Sequence, residues 1–310
     1  MKRPAINAST VLTQLSTEQP NPASKNLDLK SSLQIVRILN AEDAKVAAAV
    51  KRALPQIAAA IDVIAAALQR GGRLIYVGTG TSGRIAALDA AEIPPTFGTN
   101  PKTVQFIIAG GIKALGEAVE ANEDSRKFGE QAMARKRPGK KDVVVGIAAS
   151  GRTPFTIAAV QYARRHGAKT VAVICNRNSQ LGKAAEIEIV VEVGPEAISG
   201  STRMKSGSAQ KMVLNMLSSG AMTKLGYVYG NLMINVRTKN YKLAERAVTI
   251  LQRAANVPRE TAQQALKTAG NSVPLALIML KTGVNRAVAQ RALKAADSKV
   301  RAAIAAVKSD

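Results

Sequence analysis

Short, almost wholly apolar runs alternate with longer amphipathic stretches through the middle of the chain. Arg73 to Val77, Val104 to Ile108, Asp142 to Ile147, Thr170 to Ile174 and Ile187 to Val193 each read as a strand with little or no polar face. Strands of that kind are buried on both sides, and the intervening helices supply the crossovers that parallel neighbours need. Helices are predicted over Gly83 to Glu92, ended by Pro94 and Pro95, from the Gly110-Gly111 turn to about Arg135, and over Pro154 to Arg165. The expected fold class is therefore α/β, a parallel sheet flanked by helices in three layers.

The flanks follow other patterns. Residues 1–30 carry Pro4, Pro20 and Pro22 among Ser, Thr and Asn, and read as an extended arm. A helical pattern runs from Leu33 to Gln69 with breaks near Asn40 and Pro55. Its segment Ile57 to Leu68 is apolar almost all round, which predicts burial in the main body or against a second subunit. After a helix from Lys205 to Leu225 the text changes near Lys239 to basic, Ala-rich stretches punctuated by Pro258, Gly270 and Gly283, the pattern of a small helical bundle. The expected division is 1–240 and 241–310.

Composition narrows the class. No apolar run is long enough to cross a bilayer, the opening residues lack a signal-peptide layout, and the single Cys175 fits a reducing cytoplasm. Lys and Arg number 44 against 21 Asp and Glu, a formal net charge of +23. Basic residues are scattered singly along helices, and 3% aromatics leaves few platforms for stacking bases, so specific nucleic-acid binding is not expected. Such a surface also suits steering of an anionic substrate.

Three polar turns carry the candidate chemistry. Gly78-x-Gly80-x-x-Gly83 follows the first strand, but the next strand ends without the carboxylate a dinucleotide fold uses to hold ribose. The hydroxyls of Thr79, Thr81 and Ser82, with Arg84 beyond them, better suit a single phosphate at a helix N-terminus. Ser150, Arg152 and Thr153 form a near repeat of that turn after the third strand. A third run, with Ser201, Arg203 and Lys205, opens the long helix. Each set also admits a plainer reading, in which Ser and Thr cap helices and the cations are solvated.

Acids are scarce. Glu92 falls near a predicted helix C-terminus, where the dipole favours a retained proton and so a general acid. Glu120 and Glu123 are three apart on a predicted helix and share a face, while Asp89 reads as structural. One His and one Cys exclude a His/Cys metal cluster, so acid–base chemistry by carboxylates without metal or cofactor is expected.

The runs Gly78-Thr-Gly-Thr-Ser82-Gly83-Arg84, Leu88-Asp89-Ala-Ala-Glu92-Ile-Pro94-Pro95-Thr96, Ala118-Val-Glu120-Ala-Asn-Glu123-Asp124-Ser125, Gly146-Ile-Ala-Ala-Ser150-Gly151-Arg152-Thr153-Pro154 and Gly200-Ser-Thr-Arg203-Met204-Lys205-Ser-Gly207-Ser-Ala-Gln210-Lys211 closely resemble the N-acetylmuramic acid 6-phosphate etherases. Leu15-Ser-Thr17-Glu18, with Asn21 and Ser24, and Gly230-Asn231-Leu232-Met233 fit as well, so the likeness spans almost the whole chain in order. The resemblance implies a sugar-isomerase, flavodoxin-like fold, a homodimer, and a C-terminal helical domain like a ubiquitin-associated fold. It implies a phosphosugar substrate, cleaved with water to N-acetylglucosamine 6-phosphate and D-lactate, and it places the proton donor at Glu92 and the second catalytic acid at Glu123. The chain departs from the family at Ile112, where an acid is common. An isomerase or a non-catalytic phosphosugar sensor on the same fold is the alternative.

Overall fold

The computed structural model describes residues 15–119, 122–236 and 241–309. They fall into two compact units: residues 15–90 with 102–218, and residues 91–101 with 219–309. The boundary expected between 240 and 241 falls at the edge of residues 237–240, which lie outside the described residues.

In the first unit, α1 (Ser32–Asp43), α2 (Lys45–Arg52) and α3 (Leu54–Gln69) precede a five-stranded parallel sheet. The strands are β1 (Leu74–Gly78), β2 (Val104–Ile108), β3 (Val143–Ala148), β4 (Lys169–Ile174) and β5 (Ile187–Val190), in the order β2-β1-β3-β4-β5. This order reverses direction between β1 and β3, which pair from Leu74 opposite Val143 to Gly78 opposite Ile147. Between the strands run α4 (Gly80–Phe97), α5 (Arg126–Lys136), α6 (Pro154–Arg165) and α7 (Gln180–Ala184), and α8 (Lys205–Lys224) follows β5. The pleat sends alternate strand residues to opposite faces. Ile75, Val77, Val144 and Ile174 join Met133 of α5, Ile157 and Val160 of α6 and Leu181 of α7 in one core. Tyr76, Val145, Ile147 and Val173, facing the other way, are equally buried.

Several local expectations are corrected. The helix opened by the first glycine turn does not stop before Pro94 and Pro95; it continues to Phe97 with both prolines inside. Glu92 therefore lies within the helix rather than at its C-terminus. The single long helix expected after β2 is instead a 3-10 turn at Gly111–Leu115 and the separate helix α5, whose N-cap Ser125 accepts from Phe128 N. Only one face of α3, with Ile57, Ala60 and Ile64, is buried in the unit, while Ala58, Ala59 and Ala66 are exposed. The described part of the arm is three docked 3-10 turns: Ser16 N donates to Asn176 Oδ1 at 3.0 Å, and Asn21 Nδ2 donates to Glu42 Oε2 at 2.9 Å.

The second unit holds a hairpin of β6 (Val228–Tyr229) and β7 (Leu232–Met233) and the helices α9 (Tyr241–Ala255), α10 (Arg259–Thr268), α11 (Val273–Thr282), α12 (Arg286–Ala295) and α13 (Val300–Ser309). Asn285 caps α12 by accepting from Val288 N, and Gly283 closes α11 in the left-handed region. Leu251, Leu266, Leu277 and Ile278 are among the residues of its own core. No helix among the described residues is long and apolar enough to cross a membrane.

Candidate functional site

Strands β1 and β3 lie side by side and point the same way, so the turns that leave them open at one carboxyl edge. That edge, at the reversal of strand order, is where open α/β sheets place ligands. The first turn supplies Thr79, Thr81 and Ser82, the second Ser150, Arg152 and Thr153. Gly80 takes a φ of 48°, a backbone that a side chain would strain. A Cβ added there would stand 3.5 Å from Glu123 Oε1, so the Glu123 carboxylate lies directly over the first turn. Glu123 is held from its backbone as well, since Phe155 N at the start of α6 donates to Glu123 O at 3.1 Å. Sequence spacing brought Glu123 to this edge as part of a helix; it arrives in the turn before α5. Glu120 lies outside the described residues.

The two serines are bonded differently. Ser150 Oγ accepts from Arg152 N at 3.3 Å, which leaves its proton available as a donor. Thr153 occupies the N-cap of α6 yet its hydroxyl makes no capping bond. The plain capping explanation therefore fails for that residue. Ser82 is buried and donates to Gln210 Oε1 at 2.9 Å. Arg84 turns away from the turn and donates to the carbonyls of Leu115 and Glu117, at 3.2 and 2.7 Å, and so clamps the segment after β2.

The third polar run divides. A cleft of about 570 Å³ is lined by Thr81 and Ile85 of α4, Asp43 of α1, Arg203 in the turn before α8, and Ser208 and Lys211 in its first turns. Arg203 is therefore at the cleft, beside a second cation that sequence reading did not single out. Lys205 is not; its ammonium is buried 2.6 Å from Glu42 Oε2. Ser201 likewise lies outside the lining residues. The N-terminus of α8 already holds an anion, for Glu196, fully buried, accepts from Lys205 N at 3.0 Å and from Ser206 N at 2.9 Å. Nothing in the spacing marks Glu196, which stands well upstream of the helix it caps.

Asp89 sits below the first turn, accepting from Tyr76 Oη at 2.8 Å, Asn215 Nδ2 at 2.8 Å and Ser218 Oγ at 3.1 Å. Burial pushes its carboxyl above the usual range, against those three hydrogen bonds. It joins β1, α4 and α8, as a structural residue would. Cys175, also buried, has its thiol pushed up to about 12 by desolvation, which leaves it protonated and inert. Glu92 is exposed on α4. Ile112 is 71% exposed in the 3-10 turn after β2.

Comparison with known proteins defines the family. Residues 126–219 match the SIS domain family, and residues 56–164 match the glucokinase regulatory protein N-terminal SIS domain. A phosphoheptose isomerase from Francisella tularensis shares the fold with a TM-score of 0.50 at 20% identity, over 63% of this chain and 100% of that one. The architecture is thus that of a sugar-isomerase-domain protein. The N-acetylmuramic acid 6-phosphate etherase of Symbiobacterium thermophilum is 53% identical over 274 residues, 88% of this chain and 91% of its own. N-acetylmuramic acid 6-phosphate etherase 1 of Bacillus licheniformis is 49% identical over 271 residues, 87% of this chain and 89% of its own. The chain belongs to the N-acetylmuramic acid 6-phosphate etherase family.

Proposed function

We propose that this enzyme cleaves the D-lactyl ether of N-acetylmuramic acid 6-phosphate with water, giving N-acetylglucosamine 6-phosphate and D-lactate. The observation that carries the reading is the meeting of two hydroxyl-rich turns at the β1/β3 edge with the Glu123 carboxylate over one of them. Serine and threonine hydroxyls and the helix N-termini behind them match a phosphate monoester. Arg203 and Lys211 add positive charge along the adjoining cleft, and the formal charge of +23 favours arrival of an anion.

The chemistry asks for one base and one acid. Opening of the sugar to its aldehyde acidifies the proton on C2. Glu123 takes that proton, the electron pair forms the C2–C3 double bond, and the C3–O bond to lactate breaks as Glu92 gives its proton to the leaving oxygen. Water then adds its oxygen to C3 and gives a proton to Glu92, and the proton on Glu123 returns to C2. No redox step arises. We read the enzyme as a homodimer whose sites each combine Glu123 of one chain with Glu92 of the other. The exposed apolar residues of α1 and α3 support such an assembly, and the buried, unreactive Cys175 suits a cytoplasmic setting. Incubation of the purified chain with N-acetylmuramic acid 6-phosphate should release D-lactate in step with N-acetylglucosamine 6-phosphate. An isomerised or unchanged substrate with no lactate would overturn the reading.

A further inference from the structure

The two hydroxyl turns are near repeats, yet the proton of one serine is available to a ligand and the proton of the other is not. Ser82, 9% exposed, has its single donor directed at Gln210 Oε1, 2.9 Å away on α8. Gln210 is itself 1% exposed, and its Nε2 is buried with no hydrogen-bond partner among the described residues. That arrangement strands an amide N–H group while it withdraws a donor from the turn. An amide turned by half a rotation about its last bond exchanges the two atoms. Nε2 then donates to Ser82 Oγ, and the serine proton swings out to the turn, as it already can at Ser150. The buried place without a partner passes to a carbonyl oxygen, which proteins leave under-satisfied more readily than an N–H.

We infer that Gln210 is a positioning residue whose amide, nitrogen toward Ser82, aims the serine proton at the phosphate of the bound sugar. Gln210 stands on α8 three residues after Gly207 and one before Lys211, both of which line the cleft. Its task is one a hydrophobic residue cannot perform and an acceptor would reverse. The inference rests on the proposed use of the Ser82 turn as a phosphate cradle, and the test separates the two.

The test is a double-mutant cycle read by titration with N-acetylglucosamine 6-phosphate and by KM and kcat for lactate release. Ser82→Ala should raise Kd about tenfold or more, the scale of one hydrogen bond to a charged group. Gln210→Met, close in volume, should raise Kd and KM by a similar factor with kcat changed less. In the Ser82→Ala background the same Gln210→Met change should add less than about a further twofold, because the proton it would orient is gone. Gln210→Glu, whose ionised carboxylate only accepts, should weaken binding at least as far, and it serves where the methionine variant fails to fold. Wild-type affinity in both folded Gln210 variants overturns the inference and leaves the phosphate cradle standing. So does an equal loss from Gln210→Met in both backgrounds, which marks Gln210 as mere packing. Unchanged affinity in Ser82→Ala overturns the cradle and the inference together.

Discussion

Lys205 Nζ lies 2.6 Å from Glu42 Oε2, and both side chains are almost wholly buried although 163 residues separate them in the chain. The pair fixes the end of α1 to the start of α8, beside the cleft that Asp43 and Arg203 line. Asn21 and Lys45 also donate to Glu42, so the N-terminal arm is tied to the same carboxylate. Removing one partner strands the other charge away from water. Glu42→Gln should therefore destabilise the fold by about 3–5 kcal/mol, measured by denaturant unfolding.

The same carboxylate gives the fold an acid limit. Burial alone would raise the Glu42 carboxyl, but hydrogen bonds from Lys205, Lys45 and Asn21 outweigh it and bring it from 4.5 to about 2. A depressed folded value means the contribution is complete above pH 4.5 and is lost as pH falls through about 2. It amounts to roughly 3 kcal/mol. Unfolding midpoints should drop on acidification below about pH 4.5, and Glu42→Gln should remove that part of the drop.

A second stability prediction concerns the contact between α5 and α6. A Cβ on Gly129 would stand 2.1 Å from Phe155 O, and that oxygen belongs to rigid helix backbone. Gly129→Ala should cost about 3 kcal/mol or more, above the ordinary range for overpacking by one methyl because backbone must move. Gly139, where an added Cβ meets nothing within 4 Å, is the control, and Gly139→Ala should stay within about 0.5 kcal/mol. Thermal unfolding of the two variants checks both.

The sequence revealed the sheet, the helix order and the polar turns because apolar runs and glycine punctuation are local signals. Strand Val104–Ile108 and helix Pro154–Arg165 fall where the pattern put them. The use made of each polar side chain was much less legible. Arg84 and Lys205 have the right chemistry for a phosphate, but their partners are the Leu115 and Glu117 carbonyls and Glu42. Those partners come from distant segments, so no spacing rule could pair them. Helix ends misled for a related reason. Pro94 and Pro95 lie inside α4, whose last turn is fixed by burial of Ile93 and Phe97, with Phe97 edge-on to Tyr227 at 6.4 Å. Packing there overrides a local stop signal.

Assembly is open to a direct check. Leu33 and Val36 on α1 are more than half exposed, and the outer face of α3 presents Leu54, Ala58 and Ala59 to solvent. If these faces meet a second copy, sedimentation at micromolar concentration should give a dimer, and Leu33→Asp with Val36→Asp should shift it toward monomer. A wild-type chain that sediments only as monomer would remove the dimer, and with it the assignment of Glu92 to a second subunit.

The roles of the two acids separate by isotope exchange and by mixing. Glu92→Gln should abolish lactate release yet keep slow exchange of the C2 proton of N-acetylglucosamine 6-phosphate in heavy water, because the base over the first turn survives. Glu123→Gln should lose both, since no group remains to take the proton. Each loss should be about 100-fold or more, the scale of a positioned acid or base. Exchange retained by the Glu123 variant and absent in the Glu92 variant would reverse the assignment. In a dimer where each site uses Glu123 of one chain and Glu92 of the other, a mixed dimer of the two inactive variants contains one site with both acids intact. Refolding the variants together should then restore up to about a quarter of wild-type lactate release, since about half the dimers are mixed and each has one working site. If both acids act within one chain, the mixture stays as inactive as its parts.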